Sequence, residues 1–417
     1  MSIFSKSYDL RIYTDIDENL FKKLEFFYFL KQNIAIGYDA RLSSPSLKNS
    51  IIESLNKFKN TIEILCSTDM LTFSTGYFDS IDIMITASHN PKEYNLKVCL
   101  KNAFPVSFQN IEKQILKFFD NSPEPNEKTN SQKNITQERI NHIISFVDKT
   151  KIKPLKIVVD NSAGVFIETL LKNLNCEIVP LFLDPDNFPN HEANPIKPEN
   201  TKDLVQKVKQ TADLVAFDDA DRMMICDEND MLSTITTAII AENILQKRPS
   251  KIIFNTVCGK IASETIKKNI PIRSKVHAYI KEMMKNDPEI VFAGEHSAHY
   301  FFKNNRNADS ASIALAIILE IISAKKTKVS DIRKYYDKYF SIHETNFKTN
   351  NSQKILQILK NTYNKISEED LLIEFDQRRF NVRSSSNEPL LRLNLENTQE
   401  IMLSKFQEIQ KTIENNL

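Results

Sequence analysis

Ile81-Asp82-Ile83-Met84-Ile85, followed by Thr86-Ala87-Ser88-His89-Asn90-Pro91, is the segment from which the fold is read. The first five residues are a β-rich apolar run. The next six are small, polar and closed by proline, the composition of a turn. Ser88 therefore sits on a loop just past a strand, where layered α/β proteins place ligands. Taken alone, Ser-His-Asn-Pro reads equally as a polar surface turn. A hydrolase nucleophile is poorly supported, because no Gly-x-Ser-x-Gly elbow occurs.

Strand-then-helix units extend from this segment in both directions. On its N-terminal side, Asn33–Gly37 is a short apolar strand. Ser44-Pro45 reads as a helix cap and first helical residue. Leu47, Ile51, Ile52, Leu55 and Phe58 form a helical stripe, and Ile62–Leu65 is a further strand. Asn121–Gln137, with proline, charge and amides, reads as a linker. A second unit begins at the strand Leu155–Val159. It continues through a helix at Val165–Leu174, a strand at Ile178–Phe182 and an irregular stretch at Asp184–Asn200. Then come a helix at Lys202–Gln210 and strands at Leu214–Phe217 and Met223–Cys226. A third begins at Ile252–Phe254, with helices near Ile261–Lys268 and Ala278–Lys285, a strand at Ile290–Ala293 and a helix at Ser310–Ser323. The tail reads as two helices, strands near Leu371–Phe375 and Leu390–Leu395, and a closing helix. This alternation predicts an α/β protein. The expected organisation is three related α/β domains with mixed sheets (1–135, 136–248, 249–342) plus a C-terminal α+β domain (343–417).

Composition narrows the function classes. The 55 Lys+Arg nearly balance 54 Asp+Glu in 417 residues, so no global field attracts nucleic acid or an anionic membrane. No apolar run approaches the ~18–20 residues of a membrane span. Met1–Asp9 lacks the pattern of a signal peptide. The five cysteines are widely spaced, with neither a disulfide framework nor a zinc pattern. A cytoplasmic protein is expected. Glycine occurs 5 times where ordinary usage gives about 29. A glycine-rich nucleotide loop is therefore excluded, and tight turns must use Asn, Asp, Ser or Ala.

Three further loops follow predicted strands. Asp218-Asp219-Ala220-Asp221-Arg222 gathers three carboxylates, which repel unless a cation lies among them; hard oxygens suit Mg²⁺. Gly294-Glu295-His296-Ser297-Ala298-His299 offers a carboxylate and a hydroxyl that can bond vicinal sugar hydroxyls. Arg383-Ser384-Ser385-Ser386-Asn387-Glu388-Pro389 matches a phosphate dianion, with an arginine fork and neutral donors. Each also reads, alone, as a solvated polar loop.

Together and in this order the four loops resemble the α-D-phosphohexomutase family, closest to its bacterial phosphomannomutase/phosphoglucomutase branch. The resemblance spans essentially the whole chain. It includes Tyr8-Asp9-Leu10-Arg11, like the family's YDIRG, and Gly37-Tyr38-Asp39-Ala40-Arg41, like GxDxR. It continues through Val159-Asp160-Asn161, Phe188-Pro189-Asn190-His191-Glu192 and Asn194-Pro195, and ends at Arg383–Glu396, like RPSNTEPLLRL. It implies that Ser88 is a phosphoserine that moves a phosphoryl group between O1 and O6 of a hexose, through a hexose 1,6-bisphosphate. Mg²⁺, one per chain, would be held by Asp218, Asp219, Asp221 and the phosphorylated Ser88. Arg11, Arg41 and Arg222 would supply positive charge, with His89 beside the serine and Lys97 in acid–base work. His277, Glu295 and Ser297 would bind the sugar; Arg383, Ser385 and Asn387 would grip the non-reacting phosphate. Hexose 1,6-bisphosphate would act as activator. The implied partner is a small sugar phosphate, with the chain a monomer or homodimer.

Branch signals are mixed. Tyr94-Asn95 and Gly294–His299, close to GEMSGH, favour mannose and glucose phosphates; Asp219-Ala220-Asp221-Arg222 resembles some phosphoglucosamine mutases. Departures fall on family glycines. Tyr94-Asn95-Leu96-Lys97, Asp218–Arg222 and Lys275-Val276-His277 are each one residue shorter than the family pattern. Carboxylates at i, i+1 and i+3 need a different turn from alternating ones, so the Mg²⁺ site is expected to be distorted. A degenerate, non-catalytic homologue that binds sugar phosphate is therefore the alternative reading.

Overall fold

The computed structural model describes residues 4–6, 9–12, 33–39, 41, 44–56, 60–86, 94–100, 102, 104–105, 129–160, 166–182, 191, 198–211, 214–218, 222–227, 233–255, 257–267, 270–274, 277–363, 371–375, 378–384, 389–397 and 402–417. They fall into two units. The first comprises 1–233, 281–291 and 297–330; the second comprises 234–280, 292–296 and 331–417.

The chain begins with an eight-stranded sheet: β1 (Phe4–Lys6), β2 (Asp9–Ile12), β3 (Ile34–Tyr38), β4 (Thr61–Leu65), β5 (Ile81–Thr86), β6 (Tyr94–Leu100), β7 (Phe104–Pro105) and β8 (Asn130–Gln132). The order is β1-β2-β6-β5-β3-β4-β8, with β7 paired to β6. β3 is parallel to both β4 and β5, while β6 is antiparallel to β5. Ile34, Ile36, Ile81, Ile83 and Ile85 are buried, as the continuous apolar runs of a covered parallel sheet require. Helix α1 (Ser44–Asn56) crosses from β3 to β4, and α2 (Thr68–Tyr77) from β4 to β5. The α1 stripe Leu47, Ile51, Ile52 and Leu55 is buried as the spacing predicts; Phe58 lies outside the described residues. Ser67 caps α2 by accepting from the Met70 amide at 3.3 Å. Since β4 and β5 flank β3 on opposite sides, the strand order reverses between the carboxyl ends of β3 and β5.

Helix α3 (Thr136–Ile144) precedes a four-stranded sheet of β9 (Lys156–Asp160), β10 (Glu177–Leu181), β11 (Leu214–Asp218) and β12 (Met223–Cys226), ordered β10-β9-β11-β12. β9 is parallel to β10 and β11, and β12 is antiparallel. Helices α4 (Phe166–Asn173) and α5 (Lys202–Thr211) make the crossovers. A second reversal lies between the carboxyl ends of β9 and β11. The expected linker at Asn121–Gln137 needs correction: β8 pairs in parallel with β4, and α3 starts at Thr136. β8 is polar and largely exposed, so burial leaves no pattern to read; Thr61 Oγ1 bonds Asn130 Oδ1 at 2.9 Å instead.

Helix α6 (Ser233–Lys247) leads to β13 (Lys251–Asn255), α7 (Lys260–Lys267), β14 (Ile270–Ser274), α8 (His277–Asn286), β15 (Ile290–Gly294), β16 (Tyr300–Phe302), β17 (Ala308–Asp309), α9 (Ala311–Lys325) and α10 (Val329–Tyr336). β13 and β14 are parallel in the second unit; β16 and β17 are antiparallel in the first. Every residue of α9 from Ala311 to Ser323 is buried, as expected of a helix apolar all round. Two of its polar members meet backbone: Glu320 Oε1 accepts from the Asp148 amide and Ser323 Oγ from the Lys153 amide, both at 3.0 Å.

The tail contains β18 (Phe340–Lys348), α11 (Ser352–Thr362), β19 (Leu371–Phe375), β20 (Arg378–Ser384), β21 (Leu390–Asn397) and α12 (Met402–Glu414), in an antiparallel sheet ordered β18-β21-β20-β19. Ile355, Leu356 and Leu359 of α11 and Ile409 and Ile413 of α12 pack with Phe380, Val382, Leu391, Leu393 and Leu395. The sequence reading lacks β18 and β20. A bulge between Ile342 and Thr345 shifts the β18 register, which breaks the period-two signal. β20 alternates apolar with arginine and asparagine, and so does not read as a covered strand.

All five cysteines are free. Among the described residues no helix is long and apolar enough to cross a membrane. Asp82, inside β5, is 2% exposed, and burial raises its carboxyl well above the usual range. A raised acid favours the fold below its unfolded pKa, and that contribution is lost as pH rises through the folded pKa. Asp82→Asn is therefore expected to raise the urea midpoint at pH 8 and to change it little near pH 4. An equal shift at both pH values would contradict a neutral Asp82.

Candidate functional site

The first strand-order reversal gathers two of the sequence motifs. β5 ends at Thr86, two residues before Ser88, and β3 ends beside it, with the Asp39 amide bonded to Ile85 O at 3.3 Å. Arg41 follows and is 3% exposed. Its backbone N–H donates to Asp39 Oδ1 at 3.3 Å and its Nε to Asp39 Oδ2 at 3.0 Å. Ser44 Oγ also donates to Asp39 Oδ1. Asp39 thus fixes a cation next to the serine-loop approach; the motif reading named Arg41, with Arg11 and Arg222, as positive charge there and gave Asp39 no part. Lys97, opposite Met84 on β6, is half-buried. Ser88 and His89, and the side chain of Arg11, lie outside the described residues.

The second reversal carries the acidic loop. Asp218 closes β11 opposite Met223 in the antiparallel β12, so the acidic loop lies between two paired strand ends. Asp160 closes β9 opposite Phe217 and is fully buried. His191 Nε2 lies 2.9 Å from its Oδ2. Burial pushes the Asp160 carboxyl up, and His191 offsets part of that shift. The side chain of Asp218, and all of Asp219 and Asp221, lie outside the described residues; Arg222 is half-buried. Among the described residues no cluster of three His, Cys, Asp or Glu forms a cation site.

The loop after β15 falls at the division between the units, Glu295 in the second and Ser297 in the first. In the first unit the Met223 amide donates to Ala298 O at 3.3 Å, joining the exit of the acidic loop to Ser297-Ala298. Ala298 holds φ 67°, at the position where the GEMSGH pattern has glycine. An L-residue pays about 1–2 kcal/mol for this left-handed geometry. His299 Nδ1 lies 3.1 Å from Asp309 Oδ2, and Lys281 Nζ lies 3.2 Å from Asp309 Oδ1; all three are buried. Sequence reading missed this trio because Lys281 and Asp309 fall outside the motifs.

In the second unit Glu295 is 4% exposed. Asn255, ending β13, accepts from the amides of Cys258 (2.9 Å) and His296 (3.2 Å) through Oδ1, so one side chain sets two loops. His296 Nδ1 is 3.2 Å from Thr234 Oγ1. Burial pushes the Cys258 thiol up to about 12, so it stays protonated and unreactive. Arg383 sits half-buried near the end of β20. His277 starts α8, but its side chain, with Ser385 and Asn387, lies outside the described residues.

Comparison with known proteins fits this arrangement. Three family models match in succession: phosphoglucomutase/phosphomannomutase alpha/beta/alpha domain I over residues 17–126, domain II over 134–230 and domain III over 233–339. A phosphomannomutase of Methanocaldococcus jannaschii is 33% identical over 98% of this chain and 97% of its own. One of Vibrio cholerae is 32% identical, with the same coverage of each chain. A solved structure of a phosphoglucomutase/phosphomannomutase family protein from Burkholderia thailandensis superposes with TM-score 0.84 at 24% identity, covering 98% of this chain and 96% of that one.

Removing Asp309 would take the carboxylate from a buried ammonium. Asp309→Ala is expected to lower stability by about 3–5 kcal/mol in urea denaturation. A double-mutant cycle with Lys281→Met should return a coupling of roughly 0.5–3 kcal/mol; additive losses would show that the pair does not interact.

Proposed function

The chain belongs to the phosphoglucomutase/phosphomannomutase family, and from that premise we propose that it interconverts hexose 1-phosphate and hexose 6-phosphate, with mannose or glucose as the sugar. The observation that supports this reading is that β5, which leads to the serine loop, and β11, which leads to the acidic loop, both end at strand-order reversals, the position where open α/β sheets bind ligands. The four segments 1–135, 136–248, 249–342 and 343–417 each contribute one loop.

In this reading Ser88 Oγ carries the phosphoryl group. The Oγ–P bond breaks as the free sugar hydroxyl forms its bond to phosphorus, and Lys97 takes the hydroxyl proton. The bisphosphorylated sugar then turns end for end and returns its other phosphoryl group to Ser88. Arg41, held by Asp39, and Arg222 balance the charge on the transferring group, with Arg11 and His89 beside it. Glu295 and Ser297, with His277, orient the sugar. Arg383, Ser385 and Asn387 hold the phosphate that does not react, which fixes the reacting hydroxyl in place.

The donor chemistry of the acidic loop fits a hard divalent cation. Asp218, Asp219 and Asp221, together with phosphorylated Ser88, would hold Mg²⁺, which when bound neutralises charge on the phosphoryl group.

Purified protein given mannose 1-phosphate or glucose 1-phosphate, Mg²⁺ and a trace of hexose 1,6-bisphosphate is expected to form the 6-phosphate. Ser88→Ala should cut turnover by roughly 10⁴-fold or more and remove phosphate from the Ser88 peptide. Chelation of Mg²⁺ should stop turnover, and its return should restore it. No turnover with any hexose 1-phosphate, while sugar phosphate still binds, would establish the non-catalytic alternative instead. Preferential turnover of glucosamine 1-phosphate would place the chain in the phosphoglucosamine branch.

A further inference from the structure

Away from the four motif loops, the second unit holds a cavity of about 390 Å³, within the roughly 300–1,000 Å³ of small-molecule sites. Glu242 and Leu245 line it from α6, where their spacing puts them on one helix face. Ile261 and Glu264 line it from α7 with the same spacing. Tyr335 and Tyr336 enter from the end of α10. The phosphate and sugar chemistry proposed for the motif loops uses none of these residues.

The lining is acidic, aromatic and apolar at once. Tyr336, 2% exposed, donates its hydroxyl to Glu242, and Tyr339 donates to Glu264. Burial, with the carboxylate beside it, raises each phenol above its ordinary pKa, so both hydroxyls stay donors. One hydroxyl uses one of the roughly four acceptor positions of a carboxylate, so each glutamate can take a further donor. Leu245 and Ile261 add an apolar wall. Tyr335 lines the cavity while 59% exposed, and its ring meets Tyr336 edge-on at 5.0 Å.

The chain's own ammonium groups show what such a lining accepts. Lys260 Nζ lies 5.1 Å from the Tyr339 ring centroid and 4.0 Å from Glu264 Oε1, and Lys338 Nζ lies 5.6 Å from the Tyr335 centroid. We propose that the cavity binds a linear aliphatic polyamine. An ammonium only donates and a carboxylate only accepts, so Glu242 and Glu264 suit its charged ends. Methylenes between those ends cover Leu245 and Ile261, and the Tyr335 ring takes a further ammonium at its face. A hard metal ion is a poorer occupant, because it requires oxygen on every side and the apolar wall supplies none. The formal charge of +1 gives the chain no general attraction for polycations, so binding reports the local site.

The test titrates the full chain with spermidine in calorimetry. Saturable one-to-one binding that weakens with added NaCl is expected. Glu242→Gln and Glu264→Gln keep an acceptor for their tyrosines, and each should weaken binding about tenfold or more. Lys338→Glu, at an exposed position lining the cavity, should tighten it about threefold. No saturable heat, or equal affinity in the wild type and both glutamine variants, overturns the proposal. So does displacement of spermidine by an equal concentration of Mg²⁺, which would make this a metal site. If the glutamine variants fail to fold, Lys338→Glu decides: unchanged or weaker affinity overturns the proposal. None of these readouts uses mutase turnover, so this proposal and the catalytic reading stand or fall separately.

Discussion

A buried arginine must be paired, and in the first unit that requirement draws three distant segments to one point. Arg139 on α3 is fully buried. Its guanidinium donates to Asp69 on α2, to Ser310 Oγ at 2.8 Å and to Asn305 Oδ1 at 3.2 Å. Ser310 in turn donates to Asp69 at 3.0 Å and accepts from the Ile313 amide at 3.1 Å, capping α9. An unpaired charge here would cost several kcal/mol, so the partners arrive together or not at all. Arg306 completes the join by lying over the Phe73 ring, 5.5 Å from its centroid. This cluster anchors residues 297–330 within the first unit, and with them Ser297 and His299.

The scarcity of glycine puts Asn, Asp and Ala, the residues expected from composition, into left-handed turns, with Phe182, Arg306 and Lys326 beside them. Eight described non-glycine residues hold positive φ: Asp79, Asn102, Asn175, Phe182, Ala298, Arg306, Asn307 and Lys326. No described glycine does. The glycines answer close approach instead. A Cβ at Gly76 would sit 1.9 Å from Arg306 Nε, and one at Gly259 would sit 2.1 Å from Glu396 Oε1. Left-handed turns therefore survive without glycine, at the cost of local strain. Ala298 shows the substitution within a motif.

The α/β class was legible because covered parallel strands are long apolar runs and their helices carry a clean stripe. β8 and β18 were not, since a polar edge and a bulge erase periodicity, and β20 was passed over although Phe380 and Val382 alternate with Arg379, Asn381 and Arg383. Arg41, Glu295 and Arg383 could be named from motifs that resemble the family's. Asp39 was inside a quoted motif, but its grip on both the backbone and Nε of Arg41 is a matter of geometry. Asn255, Lys281 and Asp309 carry no local signal, because what they do depends on partners brought near by the fold.

The sequence by itself determined the repeating strand–helix class and the family, and singled out the loops proposed to carry the chemistry, since these depend on local pattern and residue type. Tertiary structure alone decided which side chains hold those loops in place. Arg139, Asn255 and Asp309 all matter through partners remote in the chain. Burial makes each of those pairings obligatory, and burial is a property of the folded chain.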